Sequence, residues 1–188
     1  MSAAPSEPAP DGDVVFRPLA RTDFARLARW LGEPHVAAFW REPASPAAVE
    51  AAYGPLVDGA DPTEAFVVEL DGHPVGYVQR YRIADYPDWA ALVGAEAAGI
   101  DYLLGDPSRV GRGLGPRVVA AFTRSTLARY PDLGAVTVAV AQDNRRSWRA
   151  LEKAGFTRVF AGVLDSGDPS DAGPAYLYVR RRGDEPPG

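Results

Sequence analysis

Gly99-Ile100-Asp101-Tyr102-Leu103-Leu104, followed through a polar loop by Val110-Gly111-Arg112-Gly113-Leu114-Gly115, is the stretch on which the reading of this chain turns. Its first half is a short apolar strand interrupted by one acid, Asp101. Its second half is a glycine-rich turn that opens a helix, expected over residues 114–130. Glycines at a helix start leave backbone N–H groups bare where the helix dipole adds positive potential, a combination that seats a phosphate or diphosphate. An anion seat one loop away from a carboxylate points to a nucleotide-like cofactor beside a general base. A structural ion pair would also explain Asp101. A functional role is the better account, because a carboxylate in an apolar strand is costly to bury without a partner.

Upstream, residues 13–18 read as a first strand, and Phe24, Leu27, Trp30 and Leu31 recur at helical spacing until Glu33-Pro34 breaks the pattern. Residues 35–40 form a short helical turn ending on Trp40. Ser45-Pro46 is an N-cap with proline at the first helical position, opening a helix to about residue 57. Residues 64–70 and 73–83 are strands joined by the Asp71-Gly72 hairpin signal. Residues 84–94 are expected to be a loop, and its Tyr86, Asp88 and Trp89 mark it as a functional one. Downstream come strands at 135–140, 156–163 and 175–182, with a helix over 145–154 capped by Asn144. Residues 13–182 thus form one domain. Residues 1–12 and 183–188 are expected to be disordered tails.

Composition removes several classes of function. The chain has 188 residues and no cysteine, which excludes disulfides, thiolate catalysis and zinc–thiolate clusters. Its two histidines, His35 and His73, stand far apart in sequence, so no metal site is expected. A net charge of -5 argues against a nucleic-acid partner and suits a cationic substrate. No run approaches the ~18 apolar residues that span a bilayer, and the Ala- and Pro-rich start lacks a signal pattern. The expectation is a cytoplasmic monomer or homodimer with no membrane or nucleic-acid partner.

The glycine loop alone leaves the ligand open. No Gly-Lys-Ser/Thr follows it, so it is not a P-loop. As a dinucleotide fingerprint it starts several residues after its strand and has Pro116 where the third glycine belongs, although Asp143 could imitate the ribose acid. No G-x-S-x-G is present for a serine hydrolase. Asp88 and Asp101 could pair as glycosidase carboxylates, but the glycine loop would then have no use.

Val110-Gly111-Arg112-Gly113-Leu114-Gly115 resembles the pyrophosphate loop of the GNAT-superfamily N-acetyltransferases, and Asn144 with Leu151-Glu152-Lys153-Ala154-Gly155-Phe156 resembles their second cofactor-side signature. Within that superfamily the chain is most similar to the aminoglycoside 6′-N-acetyltransferases. The matching pieces are Trp30-Leu31…His35-Val36…Trp40, Pro74-Val75-Gly76-Tyr77-Val78-Gln79-x-Tyr81, Gly99-Ile100-Asp101 and Asp171-x-Gly173-Pro174-Ala175. The resemblance implies an α+β GNAT fold: a mostly antiparallel sheet of about seven strands, one splayed parallel pair, and helices on both faces. It implies acetyl-CoA as co-substrate, held by Leu103, Leu104, Val110 to Pro116 and Asn144. It implies Asp101 as catalytic base, and Trp40, Gln79, Tyr81, Asp88, Asp101 and Asp171 on the acceptor amine.

The chain departs from that pattern at three places. Val110 replaces an Arg or Gln, which matters little where backbone amides bind the phosphates. Ala139 stands where the aminoglycoside branch often has an aspartate, and Leu151 where many members have a tyrosine that protonates the departing thiolate. Tyr176 and Tyr178 are the candidate replacements. The function read from the sequence is acetyl transfer to a primary amine, foremost the 6′-amine of an aminoglycoside. The alternatives are another amine (a siderophore lysine, polyamine or peptide) and a non-catalytic acetyl-CoA-binding module.

Overall fold

A computed structural model describes residues 13–164 and 173–184. Asp171 lies outside the described residues. The strands form a single seven-stranded sheet in the order β1-β2-β3-β4-β5-β7-β6. Strands β1 (Val14–Pro18), β2 (Glu64–Leu70), β3 (His73–Arg82) and β4 (Ala97–Leu104) pair antiparallel in sequence order. The β2–β3 turn is made by Asp71 and Gly72, with φ of 52° and 74°, the twist that a two-residue hairpin requires. On the far side β5 (Ala135–Ala141), β7 (Pro174–Arg181) and β6 (Thr157–Val163) are also antiparallel.

The two halves meet at the parallel pair β4–β5, which is short. Only Ala97–Ala135, Ala98–Val136 and Gly99–Thr137 are in register. Beyond Gly99 the strands diverge, although β4 continues to Leu104 and β5 to Ala141. Asp101 to Leu104 therefore pair with β3 on one side and with no strand on the other.

Helices cover both faces. On one lie α1 (Phe24–Gly32), α2 (Pro34–Trp40) and α3 (Pro46–Asp58), packed on Val67, Tyr77 and Leu103. The other carries α5 (Leu114–Arg129) and α6 (Arg145–Lys153), packed on Val78, Ile100, Val136 and Val138. Side chains alternate along a strand, so Asp101 shares the first face with Leu103 while Ile100 faces the second. The expected helix punctuation is present. Glu33 turns extended between α1 and α2, Ser45 accepts from the Ala48 amide at 3.2 Å, and Asn144 accepts from the Ser147 amide at 3.2 Å.

One expectation is corrected. Residues 84–94 are not a plain loop: a 3-10 turn (Ile83–Asp85) leads into helix α4 (Pro87–Val93). Pro87 sits in the first turn, where its missing N–H is harmless, Asp88 complements the dipole, and Gly94 at φ 91° stops the helix. Seven residues are too few to show helical periodicity in sequence.

Candidate active site

The diverging central strands β4 and β5 open a cleft of about 1170 Å³ that runs between them from one helical layer to the other. Its wall includes the start of α5. Gly111 and Gly113 lie in the left-handed region, at φ 79° and 80°, and Gly113 is the N-cap of α5. A Cβ built on either would meet nothing within 4 Å, so the space beside this turn is open. Gly115, inside the first turn, packs towards α6, where a Cβ would stand 3.5 Å from that of Ala150. Val110, Pro116 and Asn144 also line the cleft. Two residues of the expected set turn elsewhere. Leu114 points into the core at 5% exposure, as the first inward position of an amphipathic helix, and Arg112 is exposed away from the cleft.

At the mouth of the strand split stands Asp101. Its Oδ2 accepts a 2.8 Å hydrogen bond from Gln79 Nε2, and Gln79 Oε1 accepts one of 2.6 Å from the Tyr77 hydroxyl. Tyr77 is fully buried, and burial holds its phenol well above the usual range, so it stays protonated and donates. Its ring is wedged edge-on between Trp40 and Tyr53, at 5.9 and 5.4 Å. The acceptor-only Asp101 carboxylate takes the Nε2 donor, which turns Oε1 to the Tyr77 hydroxyl; the reverse orientation would oppose two acceptors at Asp101.

The first helical face closes over this strand floor with aromatic and acidic groups. Trp40 Nε1 donates to Tyr53 Oη at 3.1 Å, and Tyr53 donates to Glu42 at 2.6 Å. Burial, then the Glu42 charge, raise the Tyr53 phenol. Tyr86 donates to Asp61 at 2.9 Å and is pushed up to about 12, chiefly by burial. Its ring stacks edge-on against Tyr81 at 5.2 Å, and Tyr81 lies so close over Gly99 that a Cβ there would enter the ring. Asp85 and Asp88 complete the wall. Five carboxylates (Glu42, Asp61, Asp85, Asp88 and Asp101) therefore line this end.

Sequence reasoning placed Trp40, Gln79, Tyr81, Asp88 and Asp101 in the site, and the fold brings all five to the cleft. It missed Glu42, Tyr53, Asp61 and Asp85, and the bracing of Gln79 by Tyr77. It also missed four cations of α6, Arg145, Arg146, Arg149 and Lys153, which line the opposite end. The expected replacements for Leu151 do not reach the cleft. Tyr178 is buried and donates to Glu152 at 2.9 Å, while Tyr176 packs edge-on to Trp148 and under the Arg158 guanidinium. Leu151 itself is core, with no exposure. No group of three or more possible metal ligands occurs among the described residues.

A sheet split between parallel strands over a bare glycine turn, with a carboxylate at the split, is the architecture of an acyl-CoA-handling transferase. The chain belongs to the GNAT acetyltransferase family: the model of the acetyltransferase (GNAT) domain matches residues 20–163. Within that family it is similar to the curated aminoglycoside N(6')-acetyltransferases type 1 of Klebsiella pneumoniae and Serratia marcescens. Each is 32% identical over 174 residues, spanning 90% of this chain and 83% of the relative. Among solved structures, the aminoglycoside acetyltransferase AAC(6')-Ib in complex with coenzyme A and kanamycin superposes with a TM-score of 0.79. That match has 30% identity and covers 90% of this chain and 95% of the other.

Proposed function

We propose that this protein transfers the acetyl group of acetyl-CoA to the 6′-amine of an aminoglycoside, with Asp101 as base. The observation that carries the reading is the continuity of the cleft. One cavity joins the glycine turn at the start of α5, with open space beside Gly111 and Gly113, to a carboxylate-lined aromatic pocket that includes Asp101. The similarity to the aminoglycoside acetyltransferases supports it.

Acetyl-CoA, when bound, supplies a thioester activated towards amines. The amides of Gly111 to Gly115, at the positive end of α5, hold its diphosphate. The β4 edge around Leu103 and Leu104, which no strand pairs, turns backbone donors towards the place where a carbonyl oxygen gains charge, and such donors lower the barrier. The acceptor arrives as an ammonium. The five carboxylates raise its local concentration, the Trp40 and Tyr81 rings cover its apolar faces, and Asp101 takes its proton directly or through a water. Gln79, locked by Tyr77, keeps the Asp101 carboxylate aimed. A thiol of pKa ~8.5 departs at neutral pH without a dedicated acid, which suits a cleft whose position 151 is an apolar core residue.

A thiol-release assay over a panel of amines tests this. Turnover with kanamycin-like amines is expected. Turnover confined to polyamines, peptides or siderophore lysines would transfer the assignment to that acceptor, and cofactor binding without turnover on any amine would make the protein a binding module. Asp101→Asn is expected to lower kcat/KM by ~10²–10⁴-fold, the usual range for a general base, while the Kd for coenzyme A stays within about twofold.

A further inference from the structure

His35 is a polar residue of the cleft that proton transfer and anion binding leave unused. It stands in the first turn of α2, and its Nε2 lies 2.8 Å from the Leu104 carbonyl oxygen at the end of β4. A carbonyl oxygen only accepts, so Nε2 carries the hydrogen and donates. Helix α1 presses on the same point, because a Cβ on Gly105 would enter the Trp30 ring. Two helices therefore converge on the end of a strand that pairs with β3 on one side and with no strand on the other.

Pairing with β3 fixes which way each peptide faces there. The Gly105 N–H donates to the Val75 carbonyl at 3.0 Å. A trans peptide holds its N–H and C=O on opposite sides, so the Leu104 carbonyl faces the split. One residue earlier, the Leu103 carbonyl lies on the β3 side, against the place that a Gly76 Cβ would take. By the same rule the Leu104 N–H also faces the split. The end of β4 thus offers the cleft one donor and one acceptor, both from Leu104. The N–H suits a carbonyl oxygen that gains negative charge. A bare C=O beside it would oppose that charge. His35 occupies the C=O.

We propose that His35 is a positioning residue for acetyl transfer: its Nε2–H takes up the Leu104 carbonyl and leaves the Leu104 N–H, fixed in direction, as the group that this end of β4 presents to the acetyl carbonyl oxygen. This rests on the acetyl-transfer reading above and adds the residue that makes the strand edge a donor surface. The contact asks only for an N–H at the right reach, so a glutamine amide serves in its place, whereas a leucine fills similar space without a donor.

Isotope-edited infrared spectra of acetyl-CoA bound to the full chain, with no amine present, read the carbonyl directly. The wild type is expected to lower the thioester carbonyl frequency relative to free acetyl-CoA. His35→Leu is expected to return it towards the free value, and His35→Gln to keep it lowered. In turnover, kcat is expected to fall about tenfold in His35→Leu, short of the ~10²–10³-fold loss for removing such a donor outright. The Kd for coenzyme A and the KM for the amine stay within about twofold, and His35→Gln recovers most of kcat. A wild-type band at the free position, an unchanged band in His35→Leu, or equal losses in both variants would overturn the role of His35. Absence of turnover on any amine would overturn the acetyl-transfer reading, while the infrared comparison still decides His35. Failure to bind acetyl-CoA would overturn both.

Discussion

Tyr77 shows how much of the base's geometry is delegated. It touches no part of the open cleft, yet its hydroxyl anchors the far end of the Gln79 amide that donates to Asp101. Loosening Gln79 leaves the Asp101 carboxylate less firmly aimed at the acceptor. Tyr77→Phe is expected to lower kcat/KM by about two- to tenfold, the worth of one hydrogen bond, without weakening coenzyme A binding. In a Gln79→Ala background the same change is expected to lower it no further. An equal loss in both backgrounds would mean that Tyr77 acts by packing alone. Asp101 and Gln79 were legible in the sequence because each is a polar residue in an apolar run. Tyr77 was not, since alternation along β3 puts Tyr77, Gln79 and Tyr81 on one face without saying which hydroxyl meets which amide.

Among elements, the start of α5 concentrates the binding chemistry, and its glycines are not equivalent. Gly113 holds φ 80° with open space beyond it, whereas Gly115 has no positive φ and would place a Cβ at ordinary contact distance from Ala150. Gly113→Ala is expected to destabilise the fold by about 1–2 kcal/mol through its left-handed backbone, a few degrees in Tm. Its methyl would also intrude on the phosphate seat and cut coenzyme A affinity about tenfold or more. Gly115→Ala is expected to leave Tm nearly unchanged. Calorimetry and nucleotide titration on the two variants separate backbone strain from ligand loss. The glycine pattern was readable as an anion seat, but which glycine faces ligand and which faces α6 depends on helix packing. Helix α4 escaped notice because its seven residues bury no apolar side chain and are too few to show a helical period.

Across the whole molecule, charge is sorted by the fold. The described acids and bases are scattered along the sequence, yet carboxylates gather at the acceptor end of the cleft and α6 cations at the other. Away from the cleft, an ion-pair cluster ties the entry to α1 onto the sheet. Asp23, with a side chain 6% exposed, accepts two hydrogen bonds from Arg17 at 2.8 and 2.9 Å, one from Arg26 at 3.1 Å and one from the Ala20 amide at 3.1 Å. The Arg17 guanidinium holds this carboxyl below the usual carboxylate range. A group depressed on folding contributes stability above its unfolded value, ~3.9 for Asp, and that contribution is lost as pH falls through the folded value. Asp23→Asn is expected to lower Tm clearly at pH 7, with the deficit relative to wild type shrinking as pH falls below ~4. Melting curves between pH 7 and pH 2.5 check this, and a constant deficit would refute it.

What the sequence determined by itself was whatever is encoded locally. Hydrophobic period set most strands and helices, the Asp71-Gly72 and Ser45-Pro46 signals set turns and caps, and the glycine run beside an interrupted strand defined an anion seat near a base. What only the tertiary structure decided was convergence. The β4–β5 pairing ends after three residues, and it is this divergence that opens the cleft and exposes the β4 edge. Glu42, Asp61 and the α6 cations became site residues only once the layers closed around that opening. The physical reason is that strand pairing, helix docking and side-chain hydrogen bonds between distant segments are set by packing in three dimensions, which no spacing along one chain records.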